Sequence, residues 1–258
     1  MIAEAFVYVI AVTLLIGLAA LSVERFLAEI RRPRRYAWLA AYGAALVFPP
    51  VSLLLAGSTP AAEEIVAASL YAASPPSRFD WDALLIQAWA VATCVLMIAY
   101  LAAWIRLAML AKHWPRAASD HPLVVLADDV GPAVLGIFRP RIVLPRWLMD
   151  SPASARSTIV AHELAHIAAR DQALIVAAQL VTVLLPWNLP LWLFVTRLRA
   201  AIEVDCDARV LRDGVAAGHY ADVLLQVGQR RSFSPYAAAT LIEPVTQLER
   251  RIRIMLTR

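Results

Sequence analysis

Residues 151–196 decide the fold, and they read SPASARSTIVAHELAHIAARDQALIVAAQLVTVLLPWNLPLWLFVT. The first part predicts a helix that begins after Ser151 and ends near Arg170, because proline is favoured at the first helical position. The second part holds 24 uncharged residues from Ala173 to Thr196, enough to cross a bilayer. Two prolines interrupt it after 13 residues, which as a helix reach only ~20 Å of a hydrocarbon core of ~30 Å.

The composition predicts an integral membrane protein. Of the 258 residues, 61% are hydrophobic and 17% are charged, whereas soluble domains average about half apolar and about a quarter charged. Three more uncharged runs are long enough to span a bilayer as helices, at about 6–23, 36–57 and 83–105. We therefore divide the chain into a transmembrane helical region, 1–110, and a second domain, 111–258.

Charges beside these runs predict the orientation. The connection between the first two runs contains five arginines, whereas the next connection, 57–82, has four acidic residues and one arginine. Since positively charged loops stay in the cytoplasm, the N-terminus is predicted outside and the second domain in the cytoplasm. Orientation accounts for the net charge of +4, and direct nucleic-acid binding is not expected.

The helix predicted at the start of the second domain carries His162-Glu163-Leu164-Ala165-His166. Its histidines are four residues apart, so they lie on one helix face and can present two imidazoles to one tetrahedral ion. Glu163 lies about 100° round the helix, within reach of a water molecule that the metal activates, and is predicted as the general base. This is the arrangement of zinc peptidases, and it requires one Zn²⁺ and a third ligand.

A later helical stretch offers that ligand. Glu203 and Asp207 share one face at a spacing of four, which is costly unless a cation or a donor lies beside them, although a solvated face is the alternative. We predict Glu203 as ligand and Asp207 as the carboxylate that orients a ligating histidine. Asp205 is predicted to be solvated or paired with Arg209, and Cys206 to be a small packed residue.

The zinc site also determines the topology of the apolar run after it. A single crossing would place the two histidines on the opposite side of the membrane from Glu203, and one metal site cannot be divided in this way. We therefore predict a re-entrant hairpin over about 173–198, with both ends cytoplasmic and with Trp187 and Asn188 at its turn.

Two other segments leave alternatives open. Short apolar runs bounded by Asp, Gly and Pro at 123–145 predict a small β-sheet. Its middle run is either a core strand or an edge to which an extended substrate adds through Ala133, Val134, Leu135, Gly136 and Ile137. The basic C-terminal helix, 244–258, is predicted to lie on the membrane surface, to pack on the domain, or to contact a partner.

Three separated motifs resemble the M56 peptidases of bacteria, the family of the BlaR/MecR-type sensor-transducers. They are Gly136-Ile137-Phe138-Arg139-Pro140-Arg141-Ile142-Val143-Leu144-Pro145, the run His162 to His166 with Asp171, and Glu203 through Cys206-Asp207 to Leu211. The resemblance covers about 36–256 and includes Leu248-Glu249-Arg250-Arg251-Ile252. It implies a gluzincin-like cytoplasmic protease unit in the bacterial inner membrane, supports Glu203 as third ligand, and gives Asp171 a helix-end or ligand-supporting role.

The resemblance further implies a substrate, because members of this family usually inactivate a BlaI/MecI-like transcriptional repressor. We expect a signalling endopeptidase that cleaves such a cytoplasmic protein. The sequence ends at Arg258 without a Ser-x-x-Lys penicillin-binding domain, so β-lactam binding is not expected. Constitutive membrane quality control and a non-catalytic scaffold with structural zinc are the alternatives, and Glu163 argues against the scaffold. The sequence does not indicate the oligomeric state.

Overall fold

The structure, a computed structural model, describes residues 2–56, 80–117, 121–128, 130–231 and 245–256. The acidic connection predicted at 57–82 lies almost entirely outside them. The chain forms two compact units, which are described separately below. Unit 1 comprises Met1–Arg32, Tyr36–Tyr100 and Leu180–Arg197, and unit 2 comprises Pro33–Arg35, Leu101–Gln179 and Leu198–Arg258.

The described residues are mainly helical, with one small mixed sheet, as predicted. The helices are α1 (Ile2–Glu29), α2 (Arg35–Ala56), α3 (Trp81–Ala111), α4 (Ala153–Ala168), α5 (Asp171–Leu184), α6 (Leu189–Arg212), α7 (Ala217–Arg231) and α8 (Val245–Leu256), with a 3₁₀ helix at Arg146–Asp150. The strands are β1 (Val124–Ala127), β2 (Ala133–Leu135) and β3 (Arg141–Pro145).

Two of the described helices, α1 and α3, are long and apolar enough to cross a membrane. They contain the first and third predicted spans. A third candidate arises if α4 and α5, bent by 58° at the short break between them, are taken together as a broken span or a re-entrant loop. The second predicted span, 36–57, is helical as α2, and its crossing of the membrane stays a prediction.

Unit 1 is held together by close packing and by polar contacts between its helices. Gly17 of α1 lies so close to Phe194 that a Cβ atom there would be 2.7 Å from the ring. Asn188 donates from Nδ2 to Oγ1 of Thr13 at 3.0 Å, in a fully buried contact. Tyr42 donates to the carbonyl oxygen of Leu191. In lipid, helices associate through close packing and polar contacts of this kind, because the hydrophobic effect does not drive their association there.

The apolar run after the histidines is broken where the sequence predicts a turn. Leu185–Asn188 separates α5 from α6, and Trp187 and Asn188 lie in this break. The second arm, however, does not end near residue 198. It continues as one helix to Arg212, because no glycine or proline interrupts the chain between Leu191 and Arg212. The apolar arm and the helix that carries Glu203 are therefore a single element.

The predicted sheet is present in unit 2, with strand order β1-β3-β2. β1 is parallel to β3, and β2 is antiparallel to β3. The middle run forms a shorter strand than predicted, because Gly136 adopts φ 96° and begins the turn into β3. A Cβ atom on Gly136 would lie 2.8 Å from the carbonyl oxygen of Arg139. Gly136 and Ile137 are thus turn residues, which corrects their assignment to the strand.

One apolar cluster fixes the position of α4 in unit 2. The sheet contributes Val124, Ile142 and Leu144, which are almost completely buried, and α4 contributes Ile159. Val223 of α7 belongs to the same cluster. Burying side chains of this size contributes roughly 1.5–3 kcal/mol each, so α4 is anchored firmly against the sheet and α7.

Candidate metal centre

The two predicted histidines meet in the interior of unit 2. His162 and His166 are both buried, and their Nε2 atoms are 3.2 Å apart. Their rings are perpendicular, with centroids 4.7 Å apart. The i, i+4 spacing stacks the two side chains on one face of α4, as predicted. The Nε2 atoms of the two histidines therefore point at a common position.

The other ring nitrogen of His162 is held by a tyrosine. The Tyr220 hydroxyl lies 2.7 Å from Nδ1 of His162 and 2.6 Å from Oδ1 of Asp207. Because the hydroxyl donates to the carboxylate, it accepts from Nδ1–H of the imidazole. This arrangement keeps the Nδ1 proton in place, so Nε2 is the nitrogen that becomes the metal ligand once the imidazole is neutral. Asp207 thus acts on His162 through Tyr220, since its own oxygen is 3.7 Å from Nδ1.

The other ring nitrogen of His166 is held by a carboxylate directly. Nδ1 of His166 lies 2.8 Å from Oδ2 of Asp171, which is completely buried. Two arginines neutralise this carboxylate: Arg35 donates to Oδ1 at 2.7 Å and Arg209 donates to Oδ2 at 2.8 Å. Nε2 of His166 is therefore again the nitrogen that faces the metal position. Asp171 stands at the first position of α5, immediately after the break that follows α4.

Glu203 lies beside both inward-facing nitrogens. Its Oε2 is 3.6 Å from Nε2 of His162, and its Oε1 is 3.7 Å from Nε2 of His166. Arg251 of α8 donates to Oε2 at 3.0 Å, and it also donates to both oxygens of Asp207 at 2.8 Å. The Glu203 side chain keeps 31% of its surface exposed, so the site has an opening on this side.

Cys206 is also close to the histidines. It is buried, its thiol donates to the carbonyl oxygen of His162, and its Sγ lies 3.4 Å from Nδ1 of His162. His162, His166 and Cys206 offer ligand atoms within 4.8 Å of one another and are the group among the described residues that could hold a metal ion by this criterion. The sulfur faces Nδ1, however, whereas Glu203 faces the two Nε2 atoms. Cys206 is packed, as predicted, but it makes polar contacts that the sequence did not indicate.

The ionisable groups of the site shift the pKa values of one another. Burial opposes protonation of His162, but Cys206 and Glu203 outweigh it and raise the pKa of His162 to about 10. Burial likewise opposes protonation of His166, and Glu203 with Asp171 raises the pKa of His166 well above its usual value. Burial favours the neutral acid at Glu203, yet Arg251 and the histidines hold its pKa well below the usual range. A cation bound here has to displace protons from the imidazoles.

Glu163 is buried on the same helix, next to His162. Within the part of the chain that the structure describes, its carboxylate has no hydrogen bond or ion pair. The placement is therefore compatible with the predicted general base.

The predicted substrate strand lies at an edge of the sheet. Among the strands that the structure describes, β2 pairs with β3 alone, because the strand order places it at the end. Ala133, Val134 and Leu135 are half-buried, and β2 packs beside α4. β2 is thus partly buried, as a core strand would be, and it also lies at an edge of the sheet.

The sequence patterns did not predict several residues of the site. Tyr220 and Arg35 show no spacing that connects them to the histidines, and only the fold brings them together. Arg251 belongs to the late motif, but its pairing with Glu203 and Asp207 is tertiary. The prediction for Asp205 was wrong. Asp205 is buried and accepts from the backbone N–H groups of Arg34 and Arg35, while Arg209 turns to Asp171 because that carboxylate is completely buried.

The donor chemistry fits a zinc ion. Two imidazole nitrogens converge with a carboxylate, both imidazoles are oriented by groups on their far nitrogens, and an exposed side remains. The family model described as BlaR1 peptidase M56 matches residues 59–255, which is more than half of the chain. The chain belongs to the M56 peptidase family. Among curated proteins, none matches this chain.

As an M56 peptidase, the chain is a membrane metallopeptidase by family. The match includes α4, α6 and α8, which contribute His162, Glu203 and Arg251. The resemblance read from the three motifs is thereby confirmed. Its finer consequences, namely the ligand set, the substrate and the signalling role, are proposals.

Proposed function

We propose that this M56 peptidase is a membrane-embedded, zinc-dependent endopeptidase with a gluzincin-like site. The observation that carries the proposal is the convergence of the two Nε2 atoms, 3.2 Å apart, on the carboxylate of Glu203. His162, His166 and Glu203 would hold one Zn²⁺. The Glu203 carboxylate faces the Nε2 atoms that the outer hydrogen bonds leave free, whereas Cys206 approaches Nδ1, which Tyr220 already occupies. We therefore favour Glu203 over Cys206 as the third ligand.

Each residue of the site has a role in peptide hydrolysis. A zinc ion bound by these side chains supplies Lewis acidity, which lowers the pKa of water and polarises the scissile carbonyl group. As the oxygen of the attacking water bonds to the carbonyl carbon, Glu163 accepts a proton from that water. The C–N bond then breaks, and Glu163 returns the proton to the departing amine. Asp207, through Tyr220, and Asp171 keep the two imidazoles in the ligating tautomer.

The substrate we propose is a cytoplasmic protein, namely a BlaI/MecI-like repressor, and its cleavage transmits a signal. An extended segment of this protein would add to the outer edge of β2 at Ala133, Val134 and Leu135, with Gly136 and Ile137 in contact with the segment beyond the end of the strand. The cytoplasmic side of the bacterial inner membrane is proposed from the arginines between α1 and α2. Constitutive membrane quality control uses the same site chemistry and differs only in the substrate.

The decisive experiment separates metal binding from catalysis. The full chain is purified from membranes in detergent as wild type and as Glu163→Gln, and both zinc content and cleavage of the repressor encoded nearest to its gene are measured. We expect one zinc per chain in both forms and a cleavage rate at least ~100-fold lower in the variant, because general-base catalysis contributes about 10²–10⁴-fold. The matched control is Glu249→Gln, which removes one exposed carboxylate from α8.

The outcomes discriminate between the alternatives. Equal cleavage by wild type and Glu163→Gln would show that Glu163 is not the base. Zinc-bound wild type that cleaves unfolded membrane proteins but not the repressor supports quality control. Zinc binding by the wild type with no cleavage of either substrate supports the scaffold.

A further inference from the structure

The connection between α1 and α2 is built into unit 2. Pro33–Arg35 belongs to unit 2, although the chain on either side of it belongs to unit 1. Asp205 of α6 accepts from the backbone N–H of Arg34 at 2.8 Å and from that of Arg35 at 3.0 Å. It thereby caps the first turn of α2 from another element, a contact that a carboxylate makes favourably at a helix N-terminus. The backbone of the connection is held at this point.

The side chain of Arg35 continues from this capped turn to the ligand shell. Its Nη1 donates to Oδ1 of Asp171 at 2.7 Å, and only 13% of the side chain is exposed. The other oxygen of Asp171 is 2.8 Å from Nδ1 of His166. One carboxylate thus joins Arg35 to a histidine of the metal centre. The route from the backbone of Arg35 to the imidazole of His166 contains two hydrogen bonds.

The carboxylate needs this arginine for its orientation. Asp171 is completely buried, so an oxygen that loses its donor cannot turn to bulk water. An unsatisfied buried acceptor costs about 1–3 kcal/mol, and more when it is charged. If Arg35 were removed, Asp171 would relieve that cost by rotating toward Arg209, which already donates to Oδ2, and the rotation would take Oδ2 away from His166. Loss of Arg35 is therefore expected to leave His166 without its oriented partner.

We propose that Arg35 is a positioning residue for the metal centre, and that Asp205 holds the α1–α2 connection so that Arg35 can fix His166 through Asp171. The inference rests on the proposed zinc function. The metal centre is supported in this way by a segment that lies between two membrane-associated helices of the sequence.

The test measures zinc affinity of the purified full chain by competition with a chromophoric chelator, and the absorption spectrum of the Co²⁺-substituted protein. For Arg35→Gln we expect ~10-fold weaker zinc binding, within the range of 10–100-fold for residues that support metal ligands, and an altered Co²⁺ spectrum. Arg35→Lys keeps the charge and should restore the affinity to within ~3-fold of wild type. The control Arg32→Gln, which removes an exposed arginine of the same connection, should leave both unchanged.

A second set of variants tests the role of Asp205. Asp205→Ala should weaken zinc binding, and the double variant with Arg35→Gln should be no weaker than Arg35→Gln alone to within ~2-fold, because both act through one contact. Additive losses would overturn the role of Asp205. Wild-type affinity and spectrum in a folded Arg35→Gln protein would overturn the role of Arg35. Failure of wild type to bind zinc would instead refute the proposed function.

Discussion

The two histidines of the centre divide their ring nitrogens between separate tasks. Each Nε2 points inward, and each Nδ1 is fixed by an outer partner, Tyr220 for His162 and Asp171 for His166. An imidazole has only one lone pair available for a metal when its other nitrogen carries the proton. The outer partners therefore decide which nitrogen binds the metal, and they do so before any metal arrives.

Tyr220→Phe should weaken zinc binding by ~10-fold while preserving the fold. Phenylalanine fills the same apolar space beside Val210 and Met255 but cannot accept from Nδ1–H of His162. The measurement is chelator competition together with the ¹⁵N chemical shifts of the His162 ring. Tyr8→Phe is the control, since its hydroxyl lies 2.6 Å from Ser52 in unit 1. Unchanged affinity together with an unchanged Nδ1 shift would show that Tyr220 does not set the tautomer.

The sequence predicts the inner part of the site because that part is local. His162, Glu163 and His166 lie within five residues of one helix, and a spacing of four suffices to place both rings on one face. Glu203 and Asp207 repeat this relation on α6. Tyr220 and Arg35 come from other elements, so their contacts depend on how the helices pack. No local pattern encodes such contacts.

At the scale of elements, α6 distributes its polar side chains to different partners. Glu203 and Asp207 face the histidines and Arg251, whereas Asp205 faces the first turn of α2. Glu203, Asp205 and Asp207 therefore have partners on different sides of α6. For this reason the interpretation of Asp205 as a solvated residue fails. The continuity of α6 with the apolar arm follows from the lack of any helix breaker.

The contribution of α8 depends on one buried arginine. α8 packs on α7, where a Cβ atom on Gly228 would lie 2.5 Å from Leu248, and Arg251 reaches two carboxylates from this position. Of the three predicted placements for the C-terminal helix, packing on the domain is the one observed.

Arg251→Met should lower the free energy of unfolding of the metal-free protein by about 3–5 kcal/mol, because it leaves Asp207 buried without its cation. Zinc should restore part of this loss, since a cation near Glu203 relieves the remaining repulsion between the carboxylates. The measurement is urea unfolding in detergent with and without zinc. Arg250→Met, which changes the exposed neighbour, should cost less than ~0.5 kcal/mol. Equal losses in the two variants would contradict the ion-pair role.

At the scale of the whole molecule, composition predicts the membrane class and the helical content, because both depend on sums over many residues. The bounds of the strands and the end of the hairpin arm were less well predicted. They depend on single residues, such as Gly136, whose φ of 96° ends β2 early. Topology in the membrane is a separate property. It follows from charges outside the helices, and it decides on which side the substrate must be.

The membrane topology can be measured by labelling single cysteines introduced into a Cys94→Ser background. Ala3→Cys lies at the start of α1, Ser157→Cys on α4 before the break at Leu185–Asn188, and Asp222→Cys on α7 after it, all at exposed positions. If the hairpin is re-entrant and the N-terminus is outside, a membrane-impermeant maleimide labels Ala3→Cys in intact cells. It labels the other two positions only after permeabilisation, because positively charged connections stay inside. Native Cys206 is buried and should not react. Labelling of Ser157→Cys and Asp222→Cys from opposite sides would mean that the run between them crosses the bilayer, which would separate the histidines from Glu203 and exclude the zinc site.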